Sequence, residues 1–250
     1  MGNAHRGSAL GLSAVALSCC IAAGVARAGP ADKVYLPRVE AGELEFEFRG
    51  GVQDEDDGAW ERAFVADVGY GVNAWWFTEL AVEYEGVSGA GGGIEAIEWE
   101  NVFQLTEQGR YWLDLGLFAE YEYTREDGTP DEIVVGPMFQ KDIGRAQANL
   151  NLLFSREVGA DREDGTEVGY AWQLRWRGNP RCEFGLQGFG GAGEFGDLFE
   201  DDSSKAGPAL FGGKRLAGGD KFKWDAALLA GLTSDSPDTT LRFQLEYEIY

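Results

Sequence analysis

The chain has 250 residues, with 43 Asp and Glu against 21 Lys and Arg for a net charge of −22, 37 glycines, 13% aromatic residues, three cysteines and one histidine. Acids outnumber bases two to one, so the phosphate-neutralising surface that nucleic-acid binding requires is missing. Size and cysteine count exclude a disulfide-stapled miniprotein, and a 44% hydrophobic composition without a block of pure charge excludes a disordered chain.

Residues 1–28 open with His5 and Arg6, continue through an apolar run from Leu10 to Ala23, and end in small residues before Gly29. This predicts a secretory signal cut after Ala28. The apolar run is Ala-rich and shorter than the ~20 residues a membrane-spanning helix needs. Ser18-Cys19-Cys20 makes a poor lipidation box, because Ala16 rather than Leu stands three before Cys19. Removal of 1–28 takes Arg6, Arg27 and no acid, moving the net charge from −22 to −24, and it also takes His5, Cys19 and Cys20. Ser-His-Asp, Cys-His and histidine-metal chemistry go with them, and no cofactor or metal is expected. Residues 29–41 are expected as a periplasmic N-terminal segment ahead of one domain over 42–250.

From residue 42 the hydropathy has a period of two, the repeat of a strand whose side chains alternate between faces. In 42–52, Leu44, Phe46 and Phe48 interleave with Glu43, Glu45 and Glu47. Strands 60–72 and 76–86 follow, the latter with Trp76, Thr78, Leu80, Val82 and Tyr84 on one side. Next come 94–106 and 110–125, where Leu113, Leu115, Leu117, Tyr121 and Tyr123 face away from Asp114, Glu120 and Glu122. Pro137 interrupts 132–140. Strands 146–157, 168–177 and 182–190 are regular, whereas 207–216, with Pro208, Gly212 and Gly213, fits neither parity, and Pro and Gly there predict bulges or bends. Strands 222–233 and 240–250 close the chain.

The connections alternate in kind. Short ones are expected at 73–75, 107–109, 141–145, 178–181 and 217–221. Longer, Gly-rich and acidic ones are expected at 54–58, 87–93, 126–131, 158–167, 191–206 and 234–239. Arg-Glu-Asp-Gly-Thr occurs at 125–129 and again at 162–166, as hairpin-turn chemistry rather than a binding motif. Asp54 to Gly58 misses the calcium-loop register and reads as a solvated tip. Gly89 to Gly93 precedes no helix and is no phosphate cradle. Arg62 and Arg156 fall on apolar faces, but both stand beside long loops, within reach of charged head groups. The eight tryptophans sit mostly near strand ends, as interfacial girdles do.

Together these patterns predict an all-β, antiparallel, up-and-down transmembrane β-barrel of about 12 strands, 10–14 being compatible. The chain resembles Gram-negative outer-membrane β-barrel, porin-like proteins, on the signal sequence, the amphipathic strands and a last strand from Leu241 to Tyr250 ending on an aromatic. It departs from that family at its end. Counting back by twos from Tyr250 meets Glu248, Glu246 and Gln244, while the apolar set ends at Ile249. The opening Val34-Tyr35-Leu36-Pro37 to Glu43 also resembles proteobacterial barrels of no assigned function. The resemblance implies export through the general secretory pathway, residence in the outer membrane, and contact with lipid, lipopolysaccharide and the outer-membrane assembly machinery.

With the apolar face toward lipid, the lumen of the first five strands is lined by carboxylates, among them Glu45, Glu47, Glu83, Glu85, Glu98, Glu100, Glu120 and Glu122, with Arg49 the cation among them. Later strands bring Arg175, Arg177, Lys223 and Arg242 together with some acids, so the wall is expected to be acidic on one side and partly basic on the other. Packed carboxylates repel unless cations, protons or water compensate. One reading is a channel passing small cationic or neutral solutes. A second is a non-conducting structural or adhesion barrel, its lumen plugged as Arg175, Arg177 and Arg242 pair with the glutamates. Twelve strands fall between the filled eight-strand and open sixteen-strand cases. An enzyme would be limited to carboxylate or Ser-Lys chemistry, which nothing marks. A soluble secreted barrel would place the same faces inside out.

Overall fold

The computed structural model describes residues 29–54, 58–126, 128–160, 162–198, 203–216 and 218–250. The signal expected over 1–28 and the acidic run 55–57 lie outside the described residues. Twelve strands form: β1 (Leu44–Asp54), β2 (Trp60–Asn73), β3 (Trp76–Val87), β4 (Gly91–Gln104), β5 (Asp114–Thr124), β6 (Asp131–Ile143), β7 (Ala146–Val158), β8 (Glu167–Asn179), β9 (Cys182–Glu194), β10 (Ser203–Arg215), β11 (Lys221–Gly231) and β12 (Thr239–Ile249). Each pairs antiparallel with its sequence neighbours, and β1 pairs with β12 from Leu44↔Ile249 to Gln53↔Thr240, closing the barrel without an edge. Closure satisfies every strand's backbone groups within the sheet, the condition for crossing hydrocarbon with strands.

The even–odd code is borne out. Phe46, Phe48, Leu80, Trp99, Leu174, Leu228 and Leu241 face outward and are exposed, whereas Glu47, Arg49, Glu79, Glu98 and Glu100 face inward and are buried. The outer surface is thus apolar and the inner one rich in charge, the inverse of a soluble barrel. Tyr250 lies beyond β12, so the aromatic terminus overhangs the strand and Ile249 is its last paired residue.

The two irregular strands share one device. In β6 the ladder to β7 skips Gly136 and Pro137, and in β10 the ladder to β11 skips Gly207 and Pro208. A Cβ on Gly136 would lie 1.8 Å from the Leu152 carbonyl oxygen, and one on Gly207 2.0 Å from that of Leu228. Proline withholds its N–H and glycine lets the neighbouring backbone close in, so both strands stay continuous. Register shifts come instead in the β2–β3, β3–β4 and β8–β9 pairs, as where Val82↔Ile97 is followed by Tyr84↔Ile94.

Three connections differ most in length from expectation, and the turns expected at 141–145 and 178–181 shrink to 144–145 and 180–181. The β3–β4 turn occupies only 88–90, with Gly89 and Gly91 at positive φ. The β4–β5 connection runs over 105–113, held by Thr106 Oγ1 accepting from Leu115 N at 2.8 Å and Asp114 Oδ1 from Gly109 N at 2.7 Å. Strands β9 and β10 reach further than predicted and leave 195–202 between them. Glycine-rich strand ends such as 190–193 carry little hydropathy signal, which is why they read as loop.

Candidate functional site

The stretch expected to stand apart as periplasmic chain instead threads the lumen. Gly29 begins near the long-loop end, where its carbonyl accepts from Lys205 Nζ at 2.9 Å. Ala31 O accepts from Arg49 Nε at 3.1 Å. Tyr35 donates its N–H to Asn151 Oδ1 at 2.8 Å and accepts from Asn151 Nδ2 at 2.9 Å. Val39 N donates to Gln104 Oε1 at 2.8 Å, and Gly42 N donates to Gly71 O at 2.7 Å by the short turns. The segment has no ladder of its own, so amide side chains of the wall satisfy its backbone.

Its apolar side chains meet inward-facing apolar patches. Ala31 packs with Ala63, Val65 and Ala81, and Val34 with Ala171, Phe189, Phe211 and Leu229. Tyr35 and Val39 pack with Val102, Phe118 and Met138, the Tyr35 and Phe118 rings stacking at 3.9 Å. Inward glycines trace the same path: a Cβ on Gly71 would fall 2.0 Å from Glu40 O, and one on Gly51 2.4 Å from Pro30 O.

Around this segment the predicted acidic wall assembles. Arg49 lies 3.0 Å from Glu47, 3.0 Å from Asp67, 3.1 Å from Glu100 and 3.4 Å from Glu98. A second cation, absent from the strand reading, is Lys33: its Nζ is 3.1 Å from Glu47, 3.3 Å from Glu79 and 4.0 Å from Glu100. Carboxylate oxygens of Glu98, Glu100 and Glu120 lie within 4.8 Å of one another, as do those of Glu45, Glu47 and Glu79. Two cations therefore stand among at least seven carboxylates, a grouping that repels unless cations, protons or water compensate. Glu83, Glu85 and Glu122 line the same wall nearer the long loops; Glu122 accepts from Thr124 Oγ1 at 3.4 Å.

The expected pairing of later-strand arginines with these glutamates does not form. Arg175 meets Glu183 of the adjacent strand at 2.5 Å, Arg177 meets Asp142 at 3.0 Å near the short turns, and Arg242 meets Asp225 at 2.6 Å. Each finds an acid on or near its own wall, closer than any across the lumen. The wall facing the glutamates is neutral over β6 to β9, where Gln140, Asn149, Gln173 and Gln187 are cross-strand partners linked at 3.0, 3.1 and 3.4 Å and Gln187 accepts from Arg242 at 2.7 Å. Its basic part lies on β10 to β12, where Lys205, Lys223 and Arg242 face inward. Inward Gln and Asn at one level of four successive strands were visible in the sequence and were passed over because they carry no charge.

At the short-turn mouth a cavity of about 110 Å³ opens between Lys33, Tyr35, Glu43, Glu45, Lys223 and Glu248. Burial, and then the neighbouring Glu248 carboxylate, push Glu43 up to about 7. Glu43 is neutral below that pH and anionic above it, so the mouth gains negative charge as pH rises. If ions pass this mouth, cation selectivity read from the reversal potential should increase between about pH 6 and about pH 8; Glu43→Gln should remove most of that change. A larger hollow, about 470 Å³, lies on the outer wall between Trp75, Trp76, Trp99, Tyr121, Ile133 and Val135. These aromatic and aliphatic side chains face outward from the sheet. Cys182 is exposed at the start of β9.

No protein-family model matches the sequence, and no curated protein matches it. Solved structures do. An outer-membrane channel from Pseudomonas putida F1 superposes with a TM-score of 0.57 at 13% identity, covering 88% of this chain and 98% of that one. The NanC porin superposes at 0.54 with 8% identity, covering 82% and 99%. The fold is that of outer-membrane channel barrels.

Proposed function

We propose that the protein is an outer-membrane channel for small cationic or neutral solutes, its acidic lumen narrowed by residues 29–43. What carries this reading is the imbalance at the constriction, where Lys33 and Arg49 stand among Glu45, Glu47, Asp67, Glu79, Glu98, Glu100 and Glu120. A wall serving only as filler has no use for carboxylates beyond those its cations pair, because each buried uncompensated charge is costly. Charged walls at close range set ion selectivity. The outer-membrane location is part of the proposal and is supported by the apolar outer surface. Arg62, near the β3–β4 turn, and Arg156, 4.0 Å from Asp164 of the β7–β8 connection, are placed to meet head groups.

A second reading is favoured by one observation: the segment joins all three apolar clusters of the lumen. On that reading the barrel is a non-conducting structural or adhesion protein. Planar-bilayer recordings of refolded protein under a KCl gradient separate the two. Discrete steps with a cation-selective reversal potential are expected, and Glu83→Gln, Glu98→Gln and Glu120→Gln together should weaken the selectivity. Heat-modifiable, fully folded protein that gives no steps would end the channel reading.

A further inference from the structure

Lys33 is held as a ligand is held. It belongs to no strand, and three carboxylates contributed by β1, β3 and β4 converge on its ammonium. The Tyr35 ring centroid lies 5.3 Å from Nζ, completing a pocket of three carboxylates and an aromatic face. An ammonium has three N–H donors: Glu79 accepts at 3.3 Å, Glu47 stands at 3.1 Å, and Glu100 Oε2, at 4.0 Å, is an ion-pair partner beyond hydrogen-bond reach. The wall also offers more than Lys33 uses: Asp67 Oδ1 and Glu100 Oε2, both fully buried, have no hydrogen-bond partner. Arg49 occupies the remaining oxygens of Glu47 and Glu100, which leaves too few for the near-octahedral oxygen shell a small divalent cation demands. The cavity at the short-turn mouth adjoins the pocket and leads to the grouped carboxylates of Glu43, Glu45 and Glu248.

We infer that the Glu47–Glu79–Glu100 pocket is a binding site for primary ammonium groups of small organic cations, and that Lys33 is its resident competitor. A short diamine fits the arrangement best, with one ammonium in place of Lys33 and the second toward Glu43, Glu45 and Glu248. The inference rests on the channel reading only for how the cation arrives; occupancy itself requires no conduction.

The test is calorimetry on folded, detergent-solubilised protein, titrated with hexamethylenediamine, tetramethylammonium or magnesium chloride. Lys33→Met keeps the stem and removes the charge, and it should bind hexamethylenediamine at least about tenfold more tightly than the unsubstituted protein. Adding Glu79→Gln should cancel the gain. Tetramethylammonium carries the same charge but no N–H, so it should gain little. Equal gains for tetramethylammonium would reduce the pocket to a general field, and a gain for magnesium alone would make it an inorganic site; either overturns the inference. A second measurement needs no substitution. The diamine should displace the segment and expose Lys33 to trypsin, and unchanged cleavage after Lys33 at saturating diamine would equally sink the idea. Binding without conductance would count against the channel reading alone, and conductance without amine binding against this one alone.

Discussion

Deleting residues 30–39 should leave a heat-modifiable twelve-strand barrel and raise its single-channel conductance severalfold. The barrel closes through its own ladders, and the segment contributes none of the pairings between β1 and β12 or β1 and β2. What it does contribute is bulk inside the lumen, with Ala31, Val34, Tyr35 and Val39 buried against the inner wall. Deletion exposes those apolar patches to water, at roughly 25 cal/mol per Å² of apolar surface. Stability should therefore fall while the fold persists. Losing Lys33 strips one of the two cations from the acidic wall, so the wider pore should also be more cation-selective. Gly71→Leu is the matched point variant: its side chain would collide with the Glu40 carbonyl while β2 keeps its pairing, so it should lift the anchored end and raise conductance part of the way. Unchanged conductance in the deletion would show that the constriction lies elsewhere.

Arg49→Met should be the most damaging single substitution in the lumen. Its guanidinium touches Glu47, Asp67, Glu98 and Glu100 and also donates to Ala31 O at 3.1 Å. Removing one member of a buried ionic network costs about 3–5 kcal/mol, chiefly because the partners are left charged and unpaired. The denaturation midpoint, followed by gel mobility or tryptophan fluorescence, should fall steeply at neutral pH. Acidification should recover much of the loss, because protonated carboxylates no longer repel. Arg49→Lys keeps the charge but loses the planar fork that reaches four acids at once, so its cost should be smaller. An Arg49→Met midpoint equal to that of the unsubstituted protein would mean that the carboxylates are already neutral, and would count against the acidic channel as well.

The barrel itself was legible because each strand carries its own evidence. Phe46 and Phe48 against Glu45 and Glu47 specify both strand and facing, and the same parity recurs through Leu245 and Tyr247. The candidate wall was legible for the same reason, and Glu47, Glu98 and Glu100 face inward as read. The contents of the lumen were not. Residues 29–43 have neither a period of two nor one of 3.6, and their identity depends on partners far along the chain: Asn151 for Tyr35, Gln104 for Val39, Glu79 for Lys33. A signal did exist on the wall. Val65, Phe118, Met138, Phe189 and Leu229 point inward, where a water-filled pore has no use for them, and they mark what the segment covers. The arginine pairings failed for a simpler reason: parity gives the face of a side chain but not its height, and height decided that Arg242 meets Asp225 rather than a glutamate across the lumen.

The fastening of the segment makes the two sides of the barrel unequal. Residues 42–43 are pinned to Gly71 by the short turns, where Gly71 N donates to Glu43 O at 2.8 Å, while near the long loops Gly29 is held through its carbonyl by the Lys205 side chain. Such a piece is withdrawn in one direction only, like a blade through the mouth of its scabbard. It clears the barrel by swinging out past the short turns, because a move the other way must first tear out its own hinge. With residues 1–28 cut away, as the sequence predicts, a solute arriving from the long-loop side would meet the lightly held end, whereas one arriving from the short-turn side would meet the hinge. On the channel reading such a barrel is expected to act as a check valve, its resistance to passage depending on the direction of approach even though the wall around the path is the same.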